Sequence, residues 1–405
     1  MNNNNFSIRS IFWSVYAPSF LLAMGQGLLL PVLPLYARET FGAGDLLVGL
    51  AVSARHFGTM GFDVPAGVLI GRFGLNKTMI AGVILFTASS FFAALSANFT
   101  MLILSRFLAG ISFALWSISR HTYIAAVIPN EQRGKALALF GGLSRTATII
   151  GPLLGGILAE FVSIRSPFFI QALISLITLV LIINTTRNFE LTISDNKKNF
   201  INEFTYTFSK HKKVYLTTGI AAVALQFLRA SREFFIPIWG DNIDLRKDQI
   251  GYIVTLSHVV DTIMFPISGY VMDRFGRKFT GIPTYIILGL SLMLMGTVGN
   301  PLPYLTSYNT LLLSALLAGI GNGISSGLVI TLGADLSPKK NPASFLGIWR
   351  LISDAGGASG PAFIGVLANV FSLGLASLSS GFIAIVGVVF LGFLSKETLI
   401  KKKSK

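Results

Sequence analysis

"GYVMDRFGRK", Gly269 to Lys278, and "GVLIGRFGLNK", Gly67 to Lys77, are two versions of one loop set 202 positions apart. Each closes one apolar run and opens the next. Working outward, Gly49, His56, Gly67, Arg72 and Gly74 match Gly251, His258, Gly269, Arg274 and Gly276 at that same offset. Further along, Gly110, Ser144, Gly151, Pro152 and Gly156 match Gly319, Ser353, Gly360, Pro361 and Gly365 at an offset of 209. Self-similarity on this scale means a duplicated structural unit, here two halves related in parallel.

Of the 405 residues 52% are hydrophobic and 12% charged, against about 25% charged in a soluble domain. Such a chain cannot clothe a water-facing surface. Twelve apolar segments fill it, at 11–36, 47–70, 78–96, 100–126, 136–160, 166–185, 214–240, 249–270, 279–299, 309–333, 344–370 and 374–395. Most match the roughly 20 residues a bilayer requires. Lipid offers backbone groups no hydrogen bonds, so the spans must be helices. The expected fold is all-α, with twelve transmembrane helices in two pseudo-symmetric six-helix bundles. The expected divisions are 1–185, a linker at 186–213, and 214–405. The segment from Ile11 is too long for a signal-peptide core and reads as a retained span.

The net charge of +15 points to a membrane and not to nucleic acid. With the N-terminus placed in the cytoplasm, 21 Lys and Arg fall in inner loops and termini and four in outer loops, so both termini are expected inside. In the linker, Phe200, Ile201, Phe204 and Phe208 recur at helical spacing ahead of Lys210, Lys212 and Lys213, the pattern of an amphipathic helix on the inner membrane surface. The chain has no cysteine, which excludes disulfides and thiolate metal sites. The four histidines lack metal-ligand spacing, and neither a P-loop nor a G-x-S-x-G nucleophile motif occurs. No cofactor, no metal and no enzymatic activity are expected.

These motifs resemble those of the major facilitator superfamily over nearly the full length. "GYVMDRFGRK" has the form of that family's loop between its second and third helices, G-x-x-x-D-R-x-G-R-K, and "GVLIGRFGLNK" is the weaker counterpart. "RFLAG" (Arg106 to Gly110) resembles the fourth-helix motif whose arginine is implicated in proton coupling. "GPLLGG" (Gly151 to Gly156) resembles the fifth-helix motif of proton-coupled antiporters, drug exporters above all, and "PVLPLY" (Pro31 to Tyr36) is common in the same branch. The resemblance implies a monomeric multi-pass transporter, by default in a bacterial inner membrane. It implies a cytoplasmic latch built from Gly67, Arg72, Asp273, Arg274 and Arg277, strong where Asp273 stands and weak where Gly71 replaces it. Gly151, Pro152, Gly155 and Gly156 become a gating seam, where small residues allow close helix approach and the proline can kink its helix.

Eleven Arg, Asp and Glu residues fall well inside the spans: Arg55, Arg106, Arg120, Arg145, Arg229, Arg232, Arg350, Asp63, Glu233, Asp261 and Asp354. Each costs about +2.5 to +3.5 kcal/mol at mid-helix on insertion scales, so they should pair or line a wet cavity. Arg229 with Glu233, and Arg350 with Asp354, are spaced to pair along one helix face. Arg145 and Asp354 occupy equivalent positions in the two halves and form a candidate gate pair. A carboxyl balanced between burial and a nearby arginine can load and release a proton. Asp261, with no arginine on its own helix face, is the first candidate, ahead of Glu233 and Asp63, with Arg106 beside them. Gln26, Arg145, Arg229, Arg232, Asp354 and His258 are candidate cavity residues. Seven arginines against four acids favour an anionic, zwitterionic or neutral amphipathic solute. The leading reading is proton-coupled efflux by alternating access. Uptake of a metabolite by a facilitator or symporter, and a non-transporting receptor or scaffold, stay open on the residues alone.

Overall fold

The computed structural model describes residues 11–128, 130–185, 200–339 and 342–399. Among them the chain is helical, without a strand: α1 (Ala17–Leu28), α2 (Val32–Phe41), α3 (Asp45–Phe73), α4 (Leu75–Ala94), α5 (Phe99–Val127), α6 (Asn130–Phe161), α7 (Ser166–Thr185), α8 (Phe200–Val214), α9 (Ile220–Asn242), α10 (Lys247–Arg274), α11 (Arg277–Met295), α12 (Ser307–Ile324), α13 (Leu328–Leu336), α14 (Pro342–Val370) and α15 (Leu373–Val389). Among the described residues ten helices are long and apolar enough to cross a membrane, or eleven when the bent pair Phe12–Leu28 and Val32–Phe41 counts as one span. The 29-residue α3, which carries Arg55, Asp63 and Arg72, stands beside them.

Two expected single spans are broken. The first turns by 43° at its break, where Pro31 has no N–H to continue the ladder. The tenth stops at Ile324 and restarts at Leu328. Gly327 has φ +81° there, a left-handed conformation that costs glycine little.

The chain divides into two compact units. One holds 1–43, 50–195 and 245–255; the other holds 44–49, 196–244 and 256–405. The short segments 44–49 and 245–255 thus sort against the sequence halves. Glycines explain this, because a Cβ on Gly156 would come within 3.0 Å of the Gly251 Cα. Only a bare backbone lets the start of α10 lie so close to α6. In the other unit Gly365 meets Asp45 in the equivalent way.

The first unit buries Leu22, Met79, Val83, Phe86, Ala109, Trp116 and Ile182 in one cluster. Its α3 and α5 touch backbone to backbone, since a Cβ on Gly110 would overlap the Arg55 carbonyl. The second unit repeats this contact, with Gly319 of α12 against the Ser257 carbonyl of α10. The duplication read from the loops is therefore a duplication of packing.

Both loop glycines have positive φ, +86° at Gly74 and +116° at Gly276. Each caps the N-terminus of the following helix. The second copy has an additional partner. The Glu397 carboxylate accepts hydrogen bonds from the backbone N–H groups of Arg277 at 2.9 Å and Lys278 at 3.0 Å. It also accepts from Thr398 at 2.9 Å and Leu399 at 3.0 Å. Partial burial by itself would raise this carboxyl's pKa, but the four N–H groups outweigh it and hold the pKa below its ordinary value. A carboxylate at the first turn of α11 also complements the helix dipole. The folded-state pKa is depressed, so this stabilisation is full at neutral pH and is lost as pH falls through the lowered pKa. Glu397→Ala should cost about 1 kcal/mol at pH 7. In paired denaturation curves the gap from the parent should close towards acid pH.

The end of the expected linker lies in the helix α8, bent at His211 (φ −111°, ψ 16°). Phe208 stacks on Tyr215 with ring centroids 5.6 Å apart, while Lys210, Lys212 and Lys213 are exposed. The side chains of Phe200 and Ile201, the linker before residue 200 and the terminal "KKKSK" lie outside the described residues.

Candidate functional site

The second unit gathers several of the intramembrane polar groups. Asp261, on α10, is 4% exposed. Its Oδ2 lies 3.5 Å from Arg232 Nη2 of α9 and accepts a hydrogen bond from the side-chain amide of Asn322 on α12. The arginine missing from its own helix face is supplied by a neighbouring helix. Gly323 lets Asn322 reach the acid, since a Cβ there would come within 2.5 Å of the Asp261 carbonyl oxygen.

Arg229 lies one turn before Arg232 and reaches the break between α12 and α13. It donates through Nη2 to the Ser325 carbonyl at 2.6 Å, and through Nε to the Ser325 hydroxyl at 3.1 Å. Gln226 Oε1 takes Nη1 at 3.0 Å. The neighbouring Ser326 carbonyl accepts from Ser268 Oγ at 3.0 Å. Interrupting a membrane helix frees carbonyls that need new donors, and a guanidinium with a serine hydroxyl fills that need here. Arg350 and Asp354 lie 3.5 Å apart on α14.

Asn322, Ser325 and Gln226 were not among the candidates. The signal for the first two is "GIGNGISSG", Gly319 to Gly327, where four glycines, two serines and an asparagine interrupt an apolar run.

In the first unit, Asp63 and Arg106 are buried, on α3 and α5. Arg120, towards the end of α5, sits over the Phe140 ring at 4.4 Å. Arg55 lies over Phe113 of α5 at 5.8 Å and donates through Nη1 to Gln26 Oε1 of α1 at 3.5 Å. Gln26 is in the last turn before the bend in the first span. Arg145 lies on α6 and is half-buried, as are Glu233 and His258 in the second unit. Two apolar clefts, of about 590 Å³ beside Phe92 and Leu104 and about 490 Å³ beside Phe91 and Leu173, contain none of these groups.

At the loop, Arg277 Nε donates to Asp335 Oδ2 at 2.9 Å, and Thr398 Oγ1 bonds the same oxygen at 2.7 Å. Asp273 is 3.7 Å from Arg277 with a side chain 83% exposed. Arg277 thus has its shorter ion pair with a residue outside the loop. Asp335 and Glu397 were also missing from the candidates, because nothing in their local sequence ties them to residue 277.

The sequence profile of the Major Facilitator Superfamily matches residues 17–234 and again 215–405. The chain belongs to the major facilitator superfamily. It is 26% identical to Multidrug resistance protein 2 of Bacillus subtilis over 391 residues, covering 94% of each chain. It is 28% identical to the Quinolone resistance protein NorA of Staphylococcus aureus over 282 residues, covering 68% of this chain and 69% of that one. An uncharacterised MFS-type transporter of Methanocaldococcus jannaschii is 23% identical over 383 residues, 93% of this chain and 96% of its own length. Among solved structures, a POT family transporter in complex with 5-aminolevulinic acid superposes with a TM-score of 0.80 at 14% identity, covering 96% of each chain. A D-xylose-proton symporter superposes with a TM-score of 0.76 at 16% identity, covering 96% of this chain and 98% of the other. These superpositions show a shared fold, and the family match with the apolar spans makes the chain an integral, multi-pass membrane transporter.

Proposed function

We propose that this transporter exports a small amphipathic molecule in exchange for protons, by alternating access, with Asp261 as the proton carrier. The observation behind this reading is a buried carboxylate in a membrane span whose charge partner, Arg232, comes from another helix and whose amide partner, Asn322, adjoins a helix break. Protonating Asp261 removes the charge that holds Arg232 and rearranges the acid's bonds beside the α12–α13 break. One proton thereby alters the contacts of three spans. The multidrug and quinolone resistance named for two relatives supports the outward direction and the amphipathic solute.

In this reading the proton site lies in the second unit, whose embedded charges balance: Arg229, Arg232 and Arg350 against Glu233, Asp261 and Asp354. The first unit carries Arg55, Arg106, Arg120 and Arg145 against Asp63, an excess that favours negative charge on the solute. The GPLLGG seam of α6 seals one end of the path. The loop latch rests on Arg277 with Asp335 and Glu397, and Asp273 is a minor member. The termini are cytoplasmic by the distribution of Lys and Arg, and the host membrane is a bacterial inner membrane. The protein works as a monomer and catalyses no reaction.

Proteoliposomes containing a trapped pH dye test the proposal. A transported solute should move protons in the opposite direction, and dissipating the gradient should stop its uphill movement. Uphill transport that survives dissipation would remove proton coupling.

A further inference from the structure

We infer that Arg55, with Gln26 and Phe113, is the subsite that receives the negatively charged group of the transported molecule, which makes the substrate an organic anion with a carboxylate or sulfonate and an aromatic or apolar body. This rests on the transport reading above and supplies the solute class.

Arg55 differs from the paired arginines of the second unit. Arg232 stands beside Asp261, and Arg350 beside Asp354. Arg55, among the described residues, meets no carboxylate. Its partners are the neutral Gln26 amide at 3.5 Å and the Phe113 ring at 5.8 Å. The nearest acid on α3 is Asp63, eight residues on, which is about 12 Å along a helix. A half-buried guanidinium in a membrane span without a counter-charge is costly, and such residues mark ligand or ion pathways.

Packing does not require the guanidinium. The backbone of α3 is held here by Gly110 against the Arg55 carbonyl, and by Thr59 Oγ1 on the Arg55 and Gly110 carbonyls at 3.0 and 3.2 Å. The second unit makes the same helix contact with Ser257 in place of arginine. The scaffold needs the backbone at this position, and the charged side chain is left for another task.

The three groups suit one ligand class. A guanidinium offers two parallel N–H donors that match a carboxylate or sulfonate. The Gln26 amide can turn to present its NH₂ once an anion occupies Arg55. Phe113 provides an aromatic face for the body of the ligand. A cation would meet the Arg55 charge with nothing to offset it.

The experiment uses purified protein in lipid nanodiscs at pH 7.5 with two probes of matched shape, 1-naphthoate and 1-naphthylmethylammonium. Titration calorimetry and thermal denaturation are read for the parent, Arg55→Gln and Arg55→Ser. The second variant introduces the side chain that the other half tolerates at this position. The expected result is binding and thermal stabilisation by naphthoate and none by the ammonium. Both variants should lose about tenfold or more in naphthoate affinity, as expected for a lost charged hydrogen bond. Without ligand they should melt at or above the parent temperature, since a lone embedded charge has been removed. Naphthoate binding that is unchanged in both variants would overturn the inference. So would ligand-free melting several degrees lower in both, which would make Arg55 a structural residue. Stabilisation by the ammonium alone, or by neither probe, would overturn the anionic class. Naphthoate binding needs no gradient, so it can hold even if proton-driven exchange fails.

Discussion

Asp261→Asn is expected to abolish gradient-driven transport and leave solute exchange in the absence of a gradient largely intact. The substitution keeps the shape of the side chain and a hydrogen-bonding partner for Asn322, but it cannot take up a proton. Arg232 loses its only ion pair at 4 Å or less among the described residues. Removing one member of such a pair leaves a charge in a dry site, and losing a charged hydrogen bond costs about 1.5–3 kcal/mol. A lower melting temperature is therefore expected along with the transport defect. The double change Asp261→Asn with Arg232→Gln separates the two effects. It should restore most of the stability, because no unpaired charge remains, and it should restore none of the coupling. Proteoliposomes with and without an imposed pH gradient provide the measurement. Full gradient-driven transport by the single variant would show that the proton is carried elsewhere, with Glu233 and Asp63 the next residues to test.

The second large effect is structural. Gly155→Val should prevent accumulation of folded protein, whereas Gly141→Ala, on the same helix, should be neutral or slightly stabilising. A Cβ at Gly155 would overlap the Leu28 carbonyl of α1, a backbone atom that cannot move aside as a side chain would. Separating α1 from α6 would also disturb the neighbouring contact of Gly151 with Gly27. Overpacking in a well-filled interior costs about 1–3 kcal/mol and can cost more, and here it falls at the bend in the first span. At Gly141 nothing lies within 4 Å of the added carbon, and alanine restricts the unfolded chain, a gain of about 0.4–1 kcal/mol. Size-exclusion profiles and melting curves of the two variants give the comparison. Equal yields of folded protein would show that α1 and α6 do not pack this closely in the membrane.

The candidate residues were legible to different degrees. Asp261 and Arg232 were visible because an ionisable residue in an apolar run is conspicuous whatever it touches. Their pairing was not, since Arg232 is 29 positions away on another helix. Arg55 was visible as a charge, but its lack of an acidic partner is a fact about space. Gln26 was noted as a candidate cavity residue, while Phe113, one of 33 phenylalanines, carried no local mark at all. The two helix breaks were missed because a mean over an apolar segment hides Pro31 and Gly327.

What the sequence determined by itself was the class of solvent and the plan of the chain. Twelve apolar segments can be satisfied only by helices in lipid, and two copies of one loop with a further set of matches at a second offset require a duplicated bundle. These are properties of local composition and repetition, which need no coordinates. Tertiary structure decided which charges are neutralised and which are not. It assigned Arg232 to Asp261, Arg229 to the broken tenth span, Glu397 to the amides of "GRK", and left Arg55 facing an amide and a ring. The physical reason is that a charge in a membrane interior is governed by whatever lies within a few ångströms, and those neighbours come from helices far apart in the chain.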